Sequence, residues 1–153
     1  MFKKLFTLFP CIIPWFIFYL ISPDYNYYNT IILPFFAPPQ PFYIIIWISL
    51  YILIGISVYI IIKNYKLKDI PKSYKKILLI NYILNEPYIL IFYKLKNIFL
   101  SFVIATSIFI ASLFLYNETN KLNEKSTKFL DLYIIFSLFT SILSLIIYII
   151  NTI

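Results

Sequence analysis

The chain has 153 residues, of which 62% are hydrophobic and 12% are charged. A soluble domain carries about twice that charged fraction, so the apolar remainder is expected to face lipid. The sequence has no His, one Cys and one Gly. These counts exclude Cys/His zinc motifs, an intrachain disulfide, catalysis by His and glycine-rich phosphate loops. We therefore expect neither a metal nor another cofactor.

Five apolar runs follow one another along the chain, each close to the roughly 20 residues that a helix needs to cross a bilayer. The runs are continuous and do not alternate in polarity, which favours helices over a β-barrel. The predicted transmembrane helices span about residues 5–22, 42–62, 77–93, 98–116 and 129–150. The sequence thus predicts one all-α integral membrane domain over residues 1–153, a bundle of five transmembrane helices.

Lysines between the runs predict the orientation. The N-terminal pair, the connection 63–76 and the connection 117–128 carry eleven lysines, against only Lys94 and Lys96 on the opposite side. The positive-inside rule predicts a cytoplasmic N-terminus and an external C-terminus. The net charge of +7 is thereby explained by topology and anionic lipid, and no nucleic-acid partner is expected. The first run lacks a small-residue cleavage site, so we interpret it as an uncleaved helix.

The one long uncharged-looking connection, residues 23–41, is rich in proline. Pro34, Pro38, Pro39 and Pro41 cannot donate backbone hydrogen bonds, so this proline-rich loop is predicted to be stiff and partly extended. It could close one end of a cavity within the bundle, or it could simply lead into the second helix.

Two motifs in this region carry a family resemblance. Pro34–Pro39 reads Pro-Phe-Phe-Ala-Pro-Pro, and Trp47, Leu50–Tyr51 and Gly55 follow it. This pattern resembles the Pro-x-Phe/Trp-x-Pro-Pro loop and the Trp-x-x-Leu-Tyr-x-x-x-Gly helix of the TspO/MBR family, the translocator proteins or peripheral-type benzodiazepine receptors. Tyr27 and Tyr28 stand where the family usually has Trp-Tyr.

The third and fifth runs extend the resemblance, with departures in the fifth, where Ser144 also replaces an asparagine of the family. Leu84–Tyr88 is similar to the family's Leu-Asn-Trp-x-Trp/Phe segment, and Tyr133, Phe136 and Phe139 match the spacing of its fifth helix. Phe136 replaces a second tryptophan. The basic residue that a proposed sterol motif requires would fall at Ile149, so cholesterol binding is not expected.

The resemblance implies a pocket beneath the proline-rich loop that binds hydrophobic, largely aromatic ligands, with porphyrins foremost, in the bacterial plasma membrane. Aromatic walls would stack on the ligand, the Asn85 amide would orient a polar edge, and the loop would exclude water. The candidate lining residues are Tyr27, Pro38, Pro39, Trp47, Tyr51, Asn85, Tyr88, Phe136 and Phe139.

Structural roles compete with this interpretation. Trp47 could be an interfacial anchor, and Asn81 and Asn85, four residues apart, could hydrogen-bond between helices. Glu86 lies within an apolar run and is a candidate proton or cation site, whereas Asp131 lies within one turn of its helix start, where a carboxylate reaches water.

Four functions are compatible with these observations. The first is ligand binding for transport or stress-related regulation. The second, also implied by the resemblance, is light-dependent degradation of porphyrin; of the two tryptophans that the family uses for it, this sequence keeps only Trp47. The third is a proton-coupled exporter that uses Glu86, and the fourth is a packing subunit of a larger complex. Small residues spaced by four, Ser101/Ala105 and Ser107/Ala111, raise the hypothesis of a homodimer.

Overall fold

A computed structural model describes Cys11 and residues 25–153. The predicted first transmembrane helix, about residues 5–22, lies outside the described residues except at Cys11. Every regular element within the described ranges is helical. The long helices are α1 (Gln40–Asn64), α2 (Lys72–Ile89), α3 (Ile98–Leu122) and α4 (Asp131–Thr152).

Short helical turns connect these elements. A 3-10 turn, Tyr25–Asn29, precedes the proline-rich loop, and a π-helical turn, Leu90–Lys94, extends α2. A four-residue helix, Glu124–Thr127, and a 3-10 turn, Lys128–Leu130, lead directly into α4.

Three stretches are long and apolar enough to cross a bilayer: Gln40–Asn64, Ile98–Leu122 and the continuous Glu124–Thr152. Their outward faces carry large apolar side chains such as Ile45 and Phe114, which are more than half exposed. Lipid is the solvent that such a surface requires. The described part of the chain is therefore an all-helical membrane protein, and α2 is its most polar long helix.

Two helices extend beyond the apolar runs from which they were predicted. α2 begins at Lys72 rather than near residue 77, and α3 continues to Leu122 rather than ending near residue 116. The additional turns carry exposed charged side chains such as Lys75 and Lys121. A helix does not have to end at the bilayer surface, so a search for charge-free runs detects only its lipid-embedded part.

Proline and asparagine shape the turn between α2 and α3. Pro87 lies inside α2, and the π turn begins three residues later, with Leu95 N donating to Leu90 O at 2.9 Å. Proline removes a regular helical hydrogen bond, and π-helical geometry, although rare, occurs mostly as single turns within α-helices. Lys96 then adopts φ 52°, and Asn97 caps α3 by accepting from Leu100 N at 2.9 Å.

Hydroxyl pairs join the helices in the interior. Thr106 and Ser141 lie 2.9 Å apart, and Ser112 and Ser137 lie 3.1 Å apart, each pair joining α3 to α4. In lipid, small side chains let helix backbones approach closely, and such hydrogen bonds contribute about 0.6 kcal/mol each.

Three of the four small residues of α3 lie inside the bundle. Ser101, Ala105 and Ala111 are buried against the rest of the chain, whereas Ser107 is only partly buried. The three buried residues allow close packing within one chain, and the homodimer stays a prediction.

The two ends of the bundle are held differently. At one end, Tyr65 Oη donates to Leu122 O at 2.7 Å. At the other end, Tyr27 Oη donates to Lys96 O at 3.3 Å, and Asn151 contacts the backbone of Ile32. The proline-rich loop, the α2–α3 turn and the end of α4 thus share one end of the molecule.

Replacement of Ile54 by Ala tests the packing of α1. Ile54 is 0% exposed, whereas Ile45 on the same helix is 59% exposed. We expect Ile54→Ala to destabilise the detergent-solubilised protein by about 2 kcal/mol, the low end for buried Ile→Ala, because the cavity term persists in a membrane while the transfer term is small. Ile45→Ala should leave the melting temperature nearly unchanged. Equal shifts in the two variants would contradict this packing.

Candidate ligand-binding site

A hollow lies between α1, α2 with its π turn, and α3, towards the end of the bundle that carries the proline-rich loop. The free space in and around it, open solvent included, amounts to about 360 Å³. The enclosed space itself admits only about one water molecule. Its lining residues are Tyr43, Ile44, Trp47, Tyr51, Asn85, Tyr88, Ile89, Tyr93 and Ile108. The structure therefore holds a nearly closed pocket.

Trp47 is the centre of the aromatic wall. Its indole is 4% exposed, and its ring centroid lies 6.4 Å from that of Tyr43, 5.6 Å from that of Tyr51 and 6.4 Å from that of Tyr133. Aromatic pairs at these separations are attractive. A residue surrounded in this way does not anchor the protein at the membrane interface, so the interfacial interpretation of Trp47 is wrong.

Asn85 belongs to a buried polar group on the wall of the hollow. Its Nδ2 donates to Asn81 O and to Tyr133 Oη, both at 2.8 Å, and Tyr133 Oη donates to Asn81 Oδ1 at 2.9 Å. Tyr133 comes from α4, so the amides do connect helices, as the structural interpretation expected. The same side chains can serve packing and the pocket.

Two polar atoms at the pocket wall remain unsatisfied. Within the described part of the chain, Asn85 Oδ1 makes no hydrogen bond, and Trp47 Nε1 makes none of regular geometry and has only a weak contact with the Tyr43 hydroxyl. Asn81 Nδ2 is likewise without a hydrogen bond among these residues. Buried polar groups are nearly always paired. One acceptor and one donor are thus available to a molecule that enters the hollow.

Five lining residues were not predicted from the sequence, namely Tyr43, Ile44, Ile89, Tyr93 and Ile108. Tyr43 precedes Trp47 by four residues, and Ile89 follows Asn85 by four, so helical spacing from the predicted residues could have identified them. Ile108 carries no such signal, because α3 reaches the hollow only through tertiary packing.

Five predicted residues do not line the hollow directly: Tyr27, Pro38, Pro39, Phe136 and Phe139. Phe136 and Phe139 form a layer behind it, because the Phe136 ring lies 6.0 Å from Trp47 and 5.4 Å from Phe139. Tyr27 packs its ring 5.5 Å from that of Phe92, on the π turn. Their role in binding stays a prediction.

The proline-rich loop covers this end through Tyr28. The Tyr28 hydroxyl donates to Pro38 O at 2.9 Å, and its ring stacks on Tyr43 at 6.3 Å. Burial, with a smaller contribution from Tyr88, raises the pKa of Tyr28 to about 12. The hydroxyl is therefore protonated at neutral pH and remains a donor to the loop. Pro39, in contrast, is exposed.

The two acids of the apolar runs lie elsewhere. Glu86 is buried on α2 but does not line the hollow, and it interacts electrostatically with Tyr82. Asp131 is exposed in the first turn of α4. Among the residues that the structure describes, no group of three His, Cys, Asp or Glu side chains could hold a metal ion.

Apolar membrane-spanning helices around an aromatic-walled hollow define a helical integral membrane protein. The sequence profile of the TspO/MBR family matches residues 6–149. The chain is also 32% identical over 132 residues to the tryptophan-rich protein TspO of Bacillus cereus, covering 86% of this chain and 85% of that protein. The chain therefore belongs to the TspO/MBR family.

Replacement of Tyr133 by Phe tests the buried polar group. The substitution keeps the ring but leaves Asn81 Oδ1 without its tyrosine donor and Asn85 Nδ2 without one acceptor. We expect a loss of about 1–3 kcal/mol of stability, the cost of leaving buried polar groups unpaired. Tyr148→Phe, on the same helix where the ring packs against Phe99 and Phe102, should change the melting temperature much less. A neutral Tyr133→Phe would show that the hydrogen bonds do not stabilise the bundle.

Proposed function

We propose that this protein binds a hydrophobic aromatic ligand, a porphyrin or similar tetrapyrrole, in the hollow beside Trp47. The observation that carries the proposal is the combination of a buried aromatic wall with two unsatisfied polar atoms, Trp47 Nε1 and Asn85 Oδ1. Such convergence of apolar walls with a few polar groups is typical of ligand pockets.

The chemistry of the wall favours a flat ligand with polar atoms on part of its edge. Trp47, Tyr51 and Tyr88 offer rings for stacking or edge contacts. The Asn85 carbonyl oxygen would accept a hydrogen bond, and the Trp47 indole would donate one. A pyrrole N–H and a carboxylate supply both complementary types, which an unsubstituted hydrocarbon does not.

Ligand entry has to enlarge the hollow. A tetrapyrrole is far larger than the space that now admits about one water molecule. Two series of ring contacts connect the proline-rich loop to the wall of the hollow. The Tyr28 ring contacts Tyr43 directly. The Phe36 ring reaches Trp47 indirectly, through Phe139 and then Phe136. Movement of this loop would change the wall without unfolding the helices. Binding of this kind would serve transport or stress-related regulation.

The membrane arrangement completes the proposal. We place residues 5–22 across the bilayer as the first of five helices, in the plasma membrane of a bacterium, with the N-terminus cytoplasmic. The lysine-rich connection 65–71 lies beside Leu122 at one end of the bundle. The turn at Lys96, which carries few lysines, lies at the other end. This arrangement agrees with the orientation that the positive-inside rule predicts. The proline-rich loop would then face the exterior.

A titration with protoporphyrin tests the binding. The chain has only two tryptophans, Trp15 and Trp47, so Trp15→Phe leaves the pocket residue as the single reporter. We expect saturable quenching of Trp47 fluorescence at one ligand per chain, together with a higher melting temperature because the ligand binds the folded state. If neither signal changes at saturating protoporphyrin, the proposed function is wrong and the packing-subunit hypothesis gains support.

Replacement of Tyr51 by Leu tests the location. Tyr51 lines the hollow, so loss of its ring should weaken protoporphyrin binding about two- to twelvefold, the equivalent of one aromatic pair at about 0.5–1.5 kcal/mol. Tyr148→Leu removes a ring from α4 that packs on Phe102, outside the hollow, and should leave the dissociation constant unchanged. Equal loss in both variants would indicate binding elsewhere.

A further inference from the structure

One side chain at the end of α4, that of Asn151, is hydrogen-bonded to the proline-rich loop. Asn151 Oδ1 accepts from Ile32 N at 3.0 Å, and Asn151 Nδ2 donates to Ile32 O at 2.9 Å. The carboxamide thus satisfies both backbone groups of a single loop residue, as a neighbouring strand would. The contact joins residues 119 positions apart in the sequence.

The carboxamide is oriented before it meets the loop. Asn151 Nδ2 also donates to Ile147 O at 2.8 Å, one helical turn earlier, which fixes the rotation of the amide plane. Both hydrogens of the Nδ2 group therefore have acceptors. Because the α4 backbone positions this group, opening of the loop costs the two contacts to Ile32 and leaves the third intact.

The two hydrogen bonds between Asn151 and Ile32 can hold the loop closed and can also be broken at low cost in free energy. Ile32 is 63% exposed, so both of its hydrogen bonds lie at the surface, where the lost partners can be replaced by water. The loop is also held by the Tyr28 bond to Pro38 O and by the contact of the Phe36 ring with Phe139, at 6.3 Å. The side chains of Ile31, Leu33 and Ala37 pack against the core as well. Asn151 is the anchor nearest the middle of the segment between Tyr28 and Phe36.

The loop segment from Ile32 to Phe36 is connected to the pocket wall. From Phe36, ring contacts run through Phe139 to Phe136 and then to Trp47, with centroid separations of 6.3, 5.4 and 6.0 Å. Displacement of the loop would remove the outermost ring of this series. The Ile32 contact and the packing behind Trp47 are therefore linked through the loop backbone and then through these ring contacts.

We propose that Asn151 is a positioning residue that holds the proline-rich loop closed over the hollow, and we call its two hydrogen bonds to Ile32 the latch. Breaking these two bonds is the step that lets the loop, the roof of the hollow, open. As far as it concerns ligand exchange, the inference rests on the proposed function. The latch itself concerns only the loop. Its two amide contacts require the Asn side chain, because Asp keeps the acceptor but loses both donations and places a negative charge at a helix C-terminus.

Hydrogen exchange of the full chain in detergent tests the latch without any ligand. In Asn151→Ala and Asn151→Asp, exchange across residues 30–37 should be about tenfold faster than in the unmodified protein, as expected for loss of about 1.4 kcal/mol from two surface hydrogen bonds. Exchange across α1 and the melting temperature should not change. Asn120→Ala, an exposed Asn at the opposite end of the bundle, is the control and should exchange like the unmodified protein. Unchanged exchange across residues 30–37 in both Asn151 variants would overturn the latch.

Stopped-flow mixing with protoporphyrin tests its consequence. If the roof must open for entry and for exit, Asn151→Ala should raise the association and dissociation rate constants together, each about tenfold, with little change in their ratio. A structural role alone would instead change the dissociation constant or the melting temperature. If Asn151→Ala shows faster hydrogen exchange in the loop but the protein binds no protoporphyrin, the latch is supported and the proposed function is wrong. If the loop exchanges faster but the binding rate constants do not change, the latch does not control ligand entry and exit.

Discussion

The arrangement of this protein depends on the absence of hydrogen-bonding partners in lipid. Backbone groups are satisfied within helices, and polar side chains must find partners inside the bundle or at its ends. Ser and Thr meet this requirement in pairs across α3 and α4, and Tyr133 meets it by joining Asn81 and Asn85. These contacts select which helix faces turn inward, because the outward faces are almost uniformly apolar and hold little information about packing.

The same constraint makes the exceptions informative. A donor on Trp47 and an acceptor on Asn85 are left without hydrogen bonds in the described structure, at the wall of one nearly closed hollow. Stability alone would favour apolar atoms at these positions, since a buried polar group without a partner costs free energy. Tyr74 Oη and Asn81 Nδ2 are also without a hydrogen bond in the described structure, but only Trp47 and Asn85 line the hollow, and we infer that a bound molecule supplies their missing partners.

Sequence reasoning was sufficient for the embedded parts of the helices and for the centre of the site. Charge-free runs located α1, α3 and α4, and the family motifs selected Trp47, Tyr51, Asn85 and Tyr88, all of which line the hollow. The charged helix ends were missed because only lipid-embedded turns are free of charge. Ile108 was missed because its position depends on how α3 packs. Phe136 and Phe139 were placed on the wall, yet they lie one layer behind it, a distinction that depends on side-chain direction and not on spacing.

The stiffness of the proline-rich loop determines how its few anchors act. Prolines restrict the backbone angles of residues 34–41, so this segment cannot yield by local rearrangement at every residue and tends to move as a unit. A flexible loop would need many contacts to stay closed, because each residue would open independently. A stiff one can be held by Tyr28 near one end, by Phe36 at its turn and by the Asn151 contact to Ile32 between them. A small number of contacts then suffices for closure, and the helices beneath, held by buried hydrogen bonds, need not change when the loop moves.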